Sequence, residues 1–172
     1  MRTLFVTDPP PVVEDWLERR HALGQDLYDE VWEGEYHVAA APRAGHADVQ
    51  FQLVRILAAA ADAASLHGHG PSNIGSPSDF RVPDLVFFRG REDRVWNSTA
   101  AIVVEVVSPG DESRAKLGFY VRAEIDEVLI VDPDARSVEW FVRRQDALVP
   151  ADGSALLGIL STDLAARIDW PH

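Results

Sequence analysis

The segment spanning residues 102–116, with the sequence IVVEVVSPGDESRAK, constrains the fold of this chain more than any other. It opens with β-branched apolar residues, which favour a strand that is buried on both faces. One carboxylate, Glu105, interrupts the run, and residues 108–110 end it, because proline lacks a backbone donor and glycine bends freely. A helix is then predicted to begin with an N-cap at Asp111 and to carry Lys116 in its second turn.

A carboxylate inside such a strand is costly unless a cation or a hydrogen-bond donor lies beside it. Glu105 therefore predicts a nearby metal ion, lysine or donor. Of the 16 basic residues, only Lys116 is a lysine, and it follows Glu105 by eleven positions. Lysine differs from arginine in being a compact ammonium group whose pKa shifts readily. We therefore favour a chemical role for Lys116 over a chance placement.

A second acid stands at the entrance of another apolar strand. Asp84 follows Pro83 and lies 21 residues before Glu105, a separation that allows two adjacent strands and their connection. Two carboxylates suit a hard divalent cation such as Mg²⁺ or Mn²⁺, and the backbone carbonyl of Val106 would add a third oxygen. Such a metal would activate water at a phosphoryl group, with Lys116 orienting that water or stabilising negative charge.

The alternative interpretation of the same residues is structural. In it, Asp84 caps the turn after Pro83, and Glu105 forms an ion pair with Lys116 that serves only the fold. The residue types and their spacing leave both interpretations open.

Composition narrows the class of protein. The net charge of −12 opposes nonspecific attraction to DNA or RNA, although a local arginine patch or a metal still permits a nuclease. The chain has no cysteine, which excludes disulfides, a thiolate nucleophile and cysteine-ligated zinc. It contains no long apolar run and no signal-peptide pattern, so we expect a cytoplasmic protein without a membrane partner.

The remaining patterns predict a single α/β domain over residues 1–172, with helices flanking a mixed β-sheet. Helices are predicted at residues 12–23, 44–66, 111–122 and 162–168, the first two because their apolar residues recur at a helical period. Strands are predicted at residues 28–32, 36–39, 84–88, 102–107, 128–131, 137–142 and, at an edge, 155–159. Residues 8–11, 67–71, 73–77 and 89–98 are interpreted as irregular connections.

The predicted core is a buried sheet on which the longest helix packs. Its residues are Val31, Val86, Val103, Val104, Ile130 and Val131, with Leu53 and Leu57 from the helix. His67 and His69 lie in a glycine-rich stretch without a third ligand, so they are interpreted as solvated rather than metal-binding.

Six pieces of the sequence, taken together, resemble the PD-(D/E)XK nuclease superfamily, and most closely its bacterial Uma family of restriction endonuclease-like proteins. The resemblance covers about residues 28–142. The pieces are the GEY turn at Gly34, a helix start near His46, Pro83-Asp84, the EVVSP motif from Glu105, Lys116 with Tyr120 four residues later, and LIVDP from Leu129.

The resemblance implies a restriction-endonuclease-like fold, in which flanking helices cover a four-stranded mixed β core. It also implies that Asp84 and Glu105 hold the Mg²⁺ or Mn²⁺ ion. The usual position of the superfamily's lysine, two residues after the acid, is Val107 here. The Uma family supplies this lysine from the next helix, which matches Lys116.

Three further residues match frequent positions of the family and are accessory candidates: Glu30, His46 and Glu112. Glu112 replaces the usual aspartate, and Glu124 stands where a glycine often ends the helix. The function implied is metal-dependent hydrolysis of DNA. The alternative is a catalytically inactive nuclease-like fold that serves as a binding or regulatory module. A homodimer is compatible with either.

Overall fold

The structure is a computed structural model that describes residues 2–4, 10–39, 42–108, 110 and 112–171, with only the backbone described for residues 2–4. It confirms the predicted α/β fold, since helices pack on mixed β-sheets. The predicted N-cap Asp111 and part of the proline-rich entry lie outside the described residues. Within the described part of the chain, no helix is long and apolar enough to cross a membrane.

The described part of the chain contains four α-helices and one 3₁₀ segment. The helices are α1 (Pro11–Ala22), α2 (Ala44–Ala63), α3 (Leu117–Arg122) and α4 (Ser161–Arg167), and the 3₁₀ segment is Ser113–Lys116. Proline at the first position of α1 is favourable there, because that backbone nitrogen needs no hydrogen bond. The helix predicted over residues 111–122 is therefore divided, and Lys116 lies at the junction between the 3₁₀ segment and α3.

The strands are β1 (Arg2–Leu4), β2 (Glu30–Trp32), β3 (Glu35–Val38), β4 (His67–His69), β5 (Asn73–Ser76), β6 (Asp79–Arg81), β7 (Leu85–Phe88), β8 (Trp96–Asn97), β9 (Ile102–Val106), β10 (Glu127–Asp132), β11 (Ser137–Arg144), β12 (Ala147–Ala151), β13 (Gly153–Ser154) and β14 (Ile159–Leu160). Sheet I has the order β1-β3-β2-β6-β5-β8, and sheet II has the order β12-β11-β10-β9-β7-β4. The strands β13 and β14 form a separate pair. In sheet II, β9 and β10 are parallel, while β7 is antiparallel to β9.

The two faces of sheet II carry separate apolar clusters. Neighbouring residues of a strand point to opposite faces, so Val104 packs with Leu53 and Leu57 of α2, whereas Val103 packs with Phe119 and Tyr120 of α3. Glu105 shares the face of Val103. This alternation aims the acid at the helix that follows Lys116.

Several expectations for the peripheral strands were wrong. Val31 is only half-buried and belongs to sheet I rather than to the core of sheet II. The stretches 67–71 and 73–77 contain β4 and β5, residues 89–98 contain β8, and β12 was missed altogether. Residues 155–158 form turns rather than an edge strand. These strands are short or rich in glycine, so they show too few alternating side chains to be recognised.

In strand β4, a glycine takes the place of a side chain that would have indicated a strand. Gly68 pairs with Phe87 of β7, and a Cβ atom at Gly68 would lie 3.1 Å from Cε1 of the Phe87 ring. Glycine thus permits the close approach of β4 to sheet II, although it gives no sequence signal for a strand.

Candidate active site

Four elements bring the predicted charged residues to one end of sheet II. Glu105 is the fourth residue of β9, and Lys116 ends the 3₁₀ segment. Asp84 precedes β7, whose Leu85 pairs with Val104 of β9, so it lies beside the end of β9. Glu30 begins β2 of sheet I.

Lys116 joins two buried carboxylates. Its Nζ lies 2.8 Å from Oε1 of Glu30, and 3.0 and 3.1 Å from the two carboxylate oxygens of Glu105. The exposed fractions of the three residues are 5% for Lys116, 1% for Glu30 and 3% for Glu105. The lysine therefore serves as a shared counter-ion for both acids.

The Glu30 carboxylate is fixed by two further donors. The indole Nε1 of Trp32 donates to Oε2 at 2.7 Å, and the backbone N–H of Val82 donates to Oε1 at 2.8 Å. Trp32 follows Glu30 by two positions in β2, which places both side chains on the same face of the strand. With these donors and Lys116, Glu30 is held in a single orientation.

Tyr120 completes the surroundings of Glu105. Its hydroxyl donates a hydrogen bond to Oε1 of Glu105, and its side chain is fully buried. Arg143 of β11 anchors the end of α3, because its guanidinium donates to the carbonyls of Tyr120 and Val121 at 3.1 and 2.9 Å. The sheet thereby fixes the short helix that carries the tyrosine.

Asp84 lies in a second hydrogen-bond network. Its Oδ1 is 2.8 Å from Nε2 of His46, and its Oδ2 accepts the backbone N–H of Val106 at 2.7 Å. The other ring nitrogen of His46 lies 3.0 Å from the hydroxyl of Ser108. Gln50 of α2 donates to the backbone carbonyl of Asp84 at 2.8 Å. Helix α2 thus holds Asp84 against the end of β9.

The electrostatics reflect an excess of acids. Burial, together with the nearby charges of Glu30 and Asp84, raises the pKa of Glu105 to about 8 even though Lys116 opposes the shift. Burial alone would lower the pKa of Lys116, but the two adjacent glutamates outweigh it and raise that pKa above its usual range. Burial and Glu105 likewise raise the pKa of Tyr120. Two carboxylates share Lys116, and a third, Asp84, acts on Glu105 from nearby, so the cluster favours an additional positive charge.

Both the sequence and the fold resemble known proteins. The family model described as "Uma2: Putative restriction endonuclease" matches residues 14–166. The chain belongs to the Uma2 family. A crystal structure from Anabaena variabilis ATCC 29413, described as "a putative nuclease belonging to DUF820", is similar to this Uma2 chain, with a TM-score of 0.65 and 17% identity over 81% of this chain and 90% of that one. At that identity, the likeness shows the restriction-endonuclease-like fold alone.

A weaker likeness extends to the type IIG restriction endonuclease BpuSI, which matches 75% of the Uma2 chain and 16% of its own length, at 13% identity and a TM-score of 0.42. That likeness carries no argument about the site. No curated protein sequence matches this chain.

The donor set of this Uma2 protein fits a hard divalent cation. A carboxylate offers about four lone-pair positions, and each oxygen of Asp84 accepts only one hydrogen bond from the described residues. Among the described residues, only Lys116 donates a hydrogen bond to Oε2 of Glu105. No group of three or more His, Cys, Asp or Glu side chains in the described ranges is arranged to hold a metal. Mg²⁺ is commonly bound by one or two carboxylates plus water and substrate phosphate, so two acids suffice.

Five of the predicted residues converge: Glu30, His46, Asp84, Glu105 and Lys116. Glu112 lies at the edge of this group, because its Oε2 is 3.7 Å from Nδ1 of His37, the cross-strand neighbour of Glu30. Val107 is half-buried beyond the end of β9. Val106 meets Asp84 through its N–H, so the proposed use of its carbonyl as a metal ligand stays a prediction.

Sequence reasoning missed two residues that shape the site. Trp32 orients Glu30, and its spacing of two residues along a strand could have identified it. Arg81 lies buried between the rings of Trp32 and Phe119, with its guanidinium carbon 4.4 and 4.2 Å from their centroids. No pattern in the sequence indicates this stacking, because the three residues come from different elements.

Proposed function

We propose that this Uma2 protein is a metal-dependent endonuclease that hydrolyses DNA phosphodiester bonds with water. The observation that carries the proposal is the cluster in which the buried Glu30 and Glu105 share a single lysine, with Asp84 close enough to raise the pKa of Glu105. A fold needs no such excess of buried negative charge, which is destabilising unless a cation balances it. Membership of a restriction endonuclease family supports the same chemistry.

In this proposal, Asp84 and Glu105 hold Mg²⁺ or Mn²⁺, with the carbonyl of Val106 as a further oxygen ligand. The ion supplies Lewis-acid activation of water and neutralises charge on the phosphoryl group. His46 acts as a positioning residue, since it holds Oδ1 of Asp84 at 2.8 Å while Ser108 contacts its other ring nitrogen.

Lys116 directs its ammonium group at both glutamates. An ammonium group has three N–H donors, and Oε1 of Glu30 and both carboxylate oxygens of Glu105 lie within 3.1 Å of its Nζ. A metal ion that took over one oxygen of Glu105 would free a donor to contact a phosphate oxygen and stabilise the negative charge that develops there. Because Glu30 is itself fixed by Trp32 and Val82, it positions the lysine without contacting substrate.

Cleavage of supercoiled plasmid and of single-stranded DNA, with Mg²⁺ or Mn²⁺ and with a chelator, tests the proposal. Asp84→Asn is the blank, because it removes the charge while keeping the shape. We expect wild-type cleavage well above that blank, and loss of cleavage in Lys116→Met. Lys116→Arg should also fail, since a planar guanidinium cannot replace a compact ammonium between two acids. Wild-type activity equal to that of Asp84→Asn would reject the nuclease.

One observation favours the alternative, an inactive fold that serves as a binding or regulatory module. Lys116 already pairs with both carboxylate oxygens of Glu105, and the net charge of −12 opposes DNA. Calorimetric titration with Mg²⁺ and Mn²⁺ separates the two functions. Binding that Asp84→Asn abolishes supports the nuclease, whereas the absence of binding favours the module.

A further inference from the structure

A cleft of about 500 Å³ opens beside the candidate active site, between the outer face of α2 and strand β4. This volume lies within the range of roughly 300–1,000 Å³ that is typical of ligand pockets. Leu85 and Phe87 of β7 form its floor, and Phe51 and Val54 of α2 form one wall. The cleft is therefore mainly apolar.

The cleft lies on the α2 side of sheet II, next to the end that carries Asp84. Ala47 and Leu85 line it, and they directly follow His46 and Asp84 in the chain. Gln50 lines it as well and donates to the backbone carbonyl of Asp84 at 2.8 Å. A ligand held in the cleft would therefore lie next to the proposed metal ligand Asp84.

Phe51 is 63% exposed and Val54 is 44% exposed. Large apolar side chains exposed together commonly mark a binding surface. The far rim is polar: it carries the carboxylate of Asp62 and the imidazole of His69, neither of which makes a side-chain hydrogen bond to the other described residues. A carboxylate accepts hydrogen bonds from base amino groups, and an exposed aromatic ring stacks on bases of any sequence.

We infer that this cleft binds one unpaired nucleobase of the DNA substrate, stacked on Phe51. The inference rests on the proposed nuclease function and narrows its substrate to single-stranded or locally opened DNA. A paired base inside a duplex cannot enter such a cleft without being unstacked.

Binding can be measured without cleavage. A fluorescein-labelled 12-nucleotide strand of deoxycytidine and deoxyadenosine, whose bases carry amino groups, is titrated with the full chain in chelator, and anisotropy gives Kd; the same strand annealed to its complement is the duplex probe. We expect tighter binding of the single strand. Phe51→Ala should weaken single-strand binding by roughly five- to 150-fold, the range that corresponds to the loss of one base–aromatic stack, whereas Phe51→Trp should retain it.

A matched pair of variants controls for effects on α2. Ala58 and Ala59 are both exposed residues of α2, but only Ala58 lines the cleft. Ala58→Phe should fill the cleft and weaken binding, while Ala59→Phe should leave Kd unchanged. Irradiation of a strand containing 5-iododeoxyuridine, followed by mass spectrometry, should place the cross-link at Phe51.

The outcomes distinguish this inference from the proposed function. DNA cleavage with single-strand affinity unchanged in Phe51→Ala would overturn the nucleobase pocket alone. Binding that depends on Phe51, without cleavage above the Asp84→Asn blank, would support the pocket and reject the nuclease. Equal affinity for both probes would overturn the pocket. A dimer in sedimentation that Phe51→Ala dissociates, without any change in DNA affinity, would show that a second copy of the chain covers this face.

Discussion

Two buried glutamates of sheet II, Glu105 and Glu127, have different hydrogen-bond partners and different neighbouring charges. Glu105 lies at one end of the parallel pair β9–β10, where Ile130 is its neighbour, and Glu127 lies at the other end, opposite Ile102. Both are almost completely buried, with 3% and 1% exposed. They also point to opposite faces of the sheet, since Glu105 shares the face of Val103 and Glu127 that of Leu129.

Glu127 is surrounded by neutral donors. It accepts the hydroxyl of Ser154 at 2.5 Å and the backbone N–H groups of Ala155 and Leu156 at 2.9 and 3.0 Å. These bonds satisfy the acid and fix the turn after β13. Glu105 instead has a shared lysine, a tyrosine and two further acids nearby. Equal burial therefore does not make the two acids alike. Glu105 differs from Glu127 because other carboxylates lie close to it.

The largest expected effect is the loss of stability in Lys116→Met, which changes only the end of sheet II that carries Glu105. Lys116→Met leaves Glu30 and Glu105 buried without a counter-ion, so the free energy of unfolding should fall by about 3–5 kcal/mol in chelator. Urea denaturation at pH 8 measures it. If a divalent cation binds the acids, Mg²⁺ or Mn²⁺ should restore part of the loss. A loss below about 1 kcal/mol in chelator would mean that Lys116 is not the counter-ion.

The second effect is a pH dependence that belongs to Glu105. Its pKa is about 8 in the folded protein against an ordinary value of 4.5, so the folded state retains a proton that the unfolded chain releases. The contribution of Glu105 to stability should be largest below pH 4.5, fall as the pH rises to about 8, and level off above. The slope is at most about 1.4 kcal/mol per pH unit. Lys116 adds no slope there, because it is charged in both states.

Urea denaturation at pH 5, 6, 7 and 8 measures this slope in the wild type and two variants. Glu105→Gln should flatten the dependence, whereas Glu127→Gln, at the opposite end of the sheet, should keep it. The same slope in Glu105→Gln and in the wild type would assign the titration to another group.

The third effect tests whether Glu127, at the other end of sheet II, serves only the stability of the fold. Glu127→Ala leaves the Ser154 hydroxyl and two backbone N–H groups without their acceptor, so the free energy of unfolding should fall by about 1–3 kcal/mol. DNA cleavage per folded molecule should equal that of the wild type. If Glu127→Ala cleaved DNA more slowly while its folded fraction stayed unchanged, Glu127 would have a role in the reaction as well as in the fold.

The smallest effect uses a matched pair of hydroxyl deletions. Tyr120→Phe and Ser154→Ala each remove one donor to a buried glutamate, and each should lower stability by about 1 kcal/mol. Only Tyr120→Phe should change the pH profile. Its hydrogen bond favours the charged form of Glu105. Removing that bond should raise the pKa of Glu105, so stability should continue to fall above pH 8. Identical profiles in both variants would argue against a special environment at Glu105.

The sequence alone determined the central elements of this protein. The strand with Glu105, the hairpin at Gly34 and the long helix α2 were all predicted, because each carries a strong local pattern of apolar period or turn residues. It also indicated the charged residues that converge, since a buried acid requires a partner and the chain offers only one lysine. Resemblance to a family added Glu30 and His46.

The tertiary structure alone decided which contacts these residues make. That Lys116 serves two acids depends on sheet I bringing Glu30 within 2.8 Å of its Nζ, and no local pattern specifies how two sheets meet. Glu112 meets His37, the neighbour of Glu30 on the adjacent strand, and this contact depends on how the 3₁₀ segment packs on sheet I. Glu127 resembles Glu105 as an acid at a buried strand, and only the donors folded around each of them set their environments apart. Local periodicity specifies faces of elements, whereas charge balance is a property of their assembly.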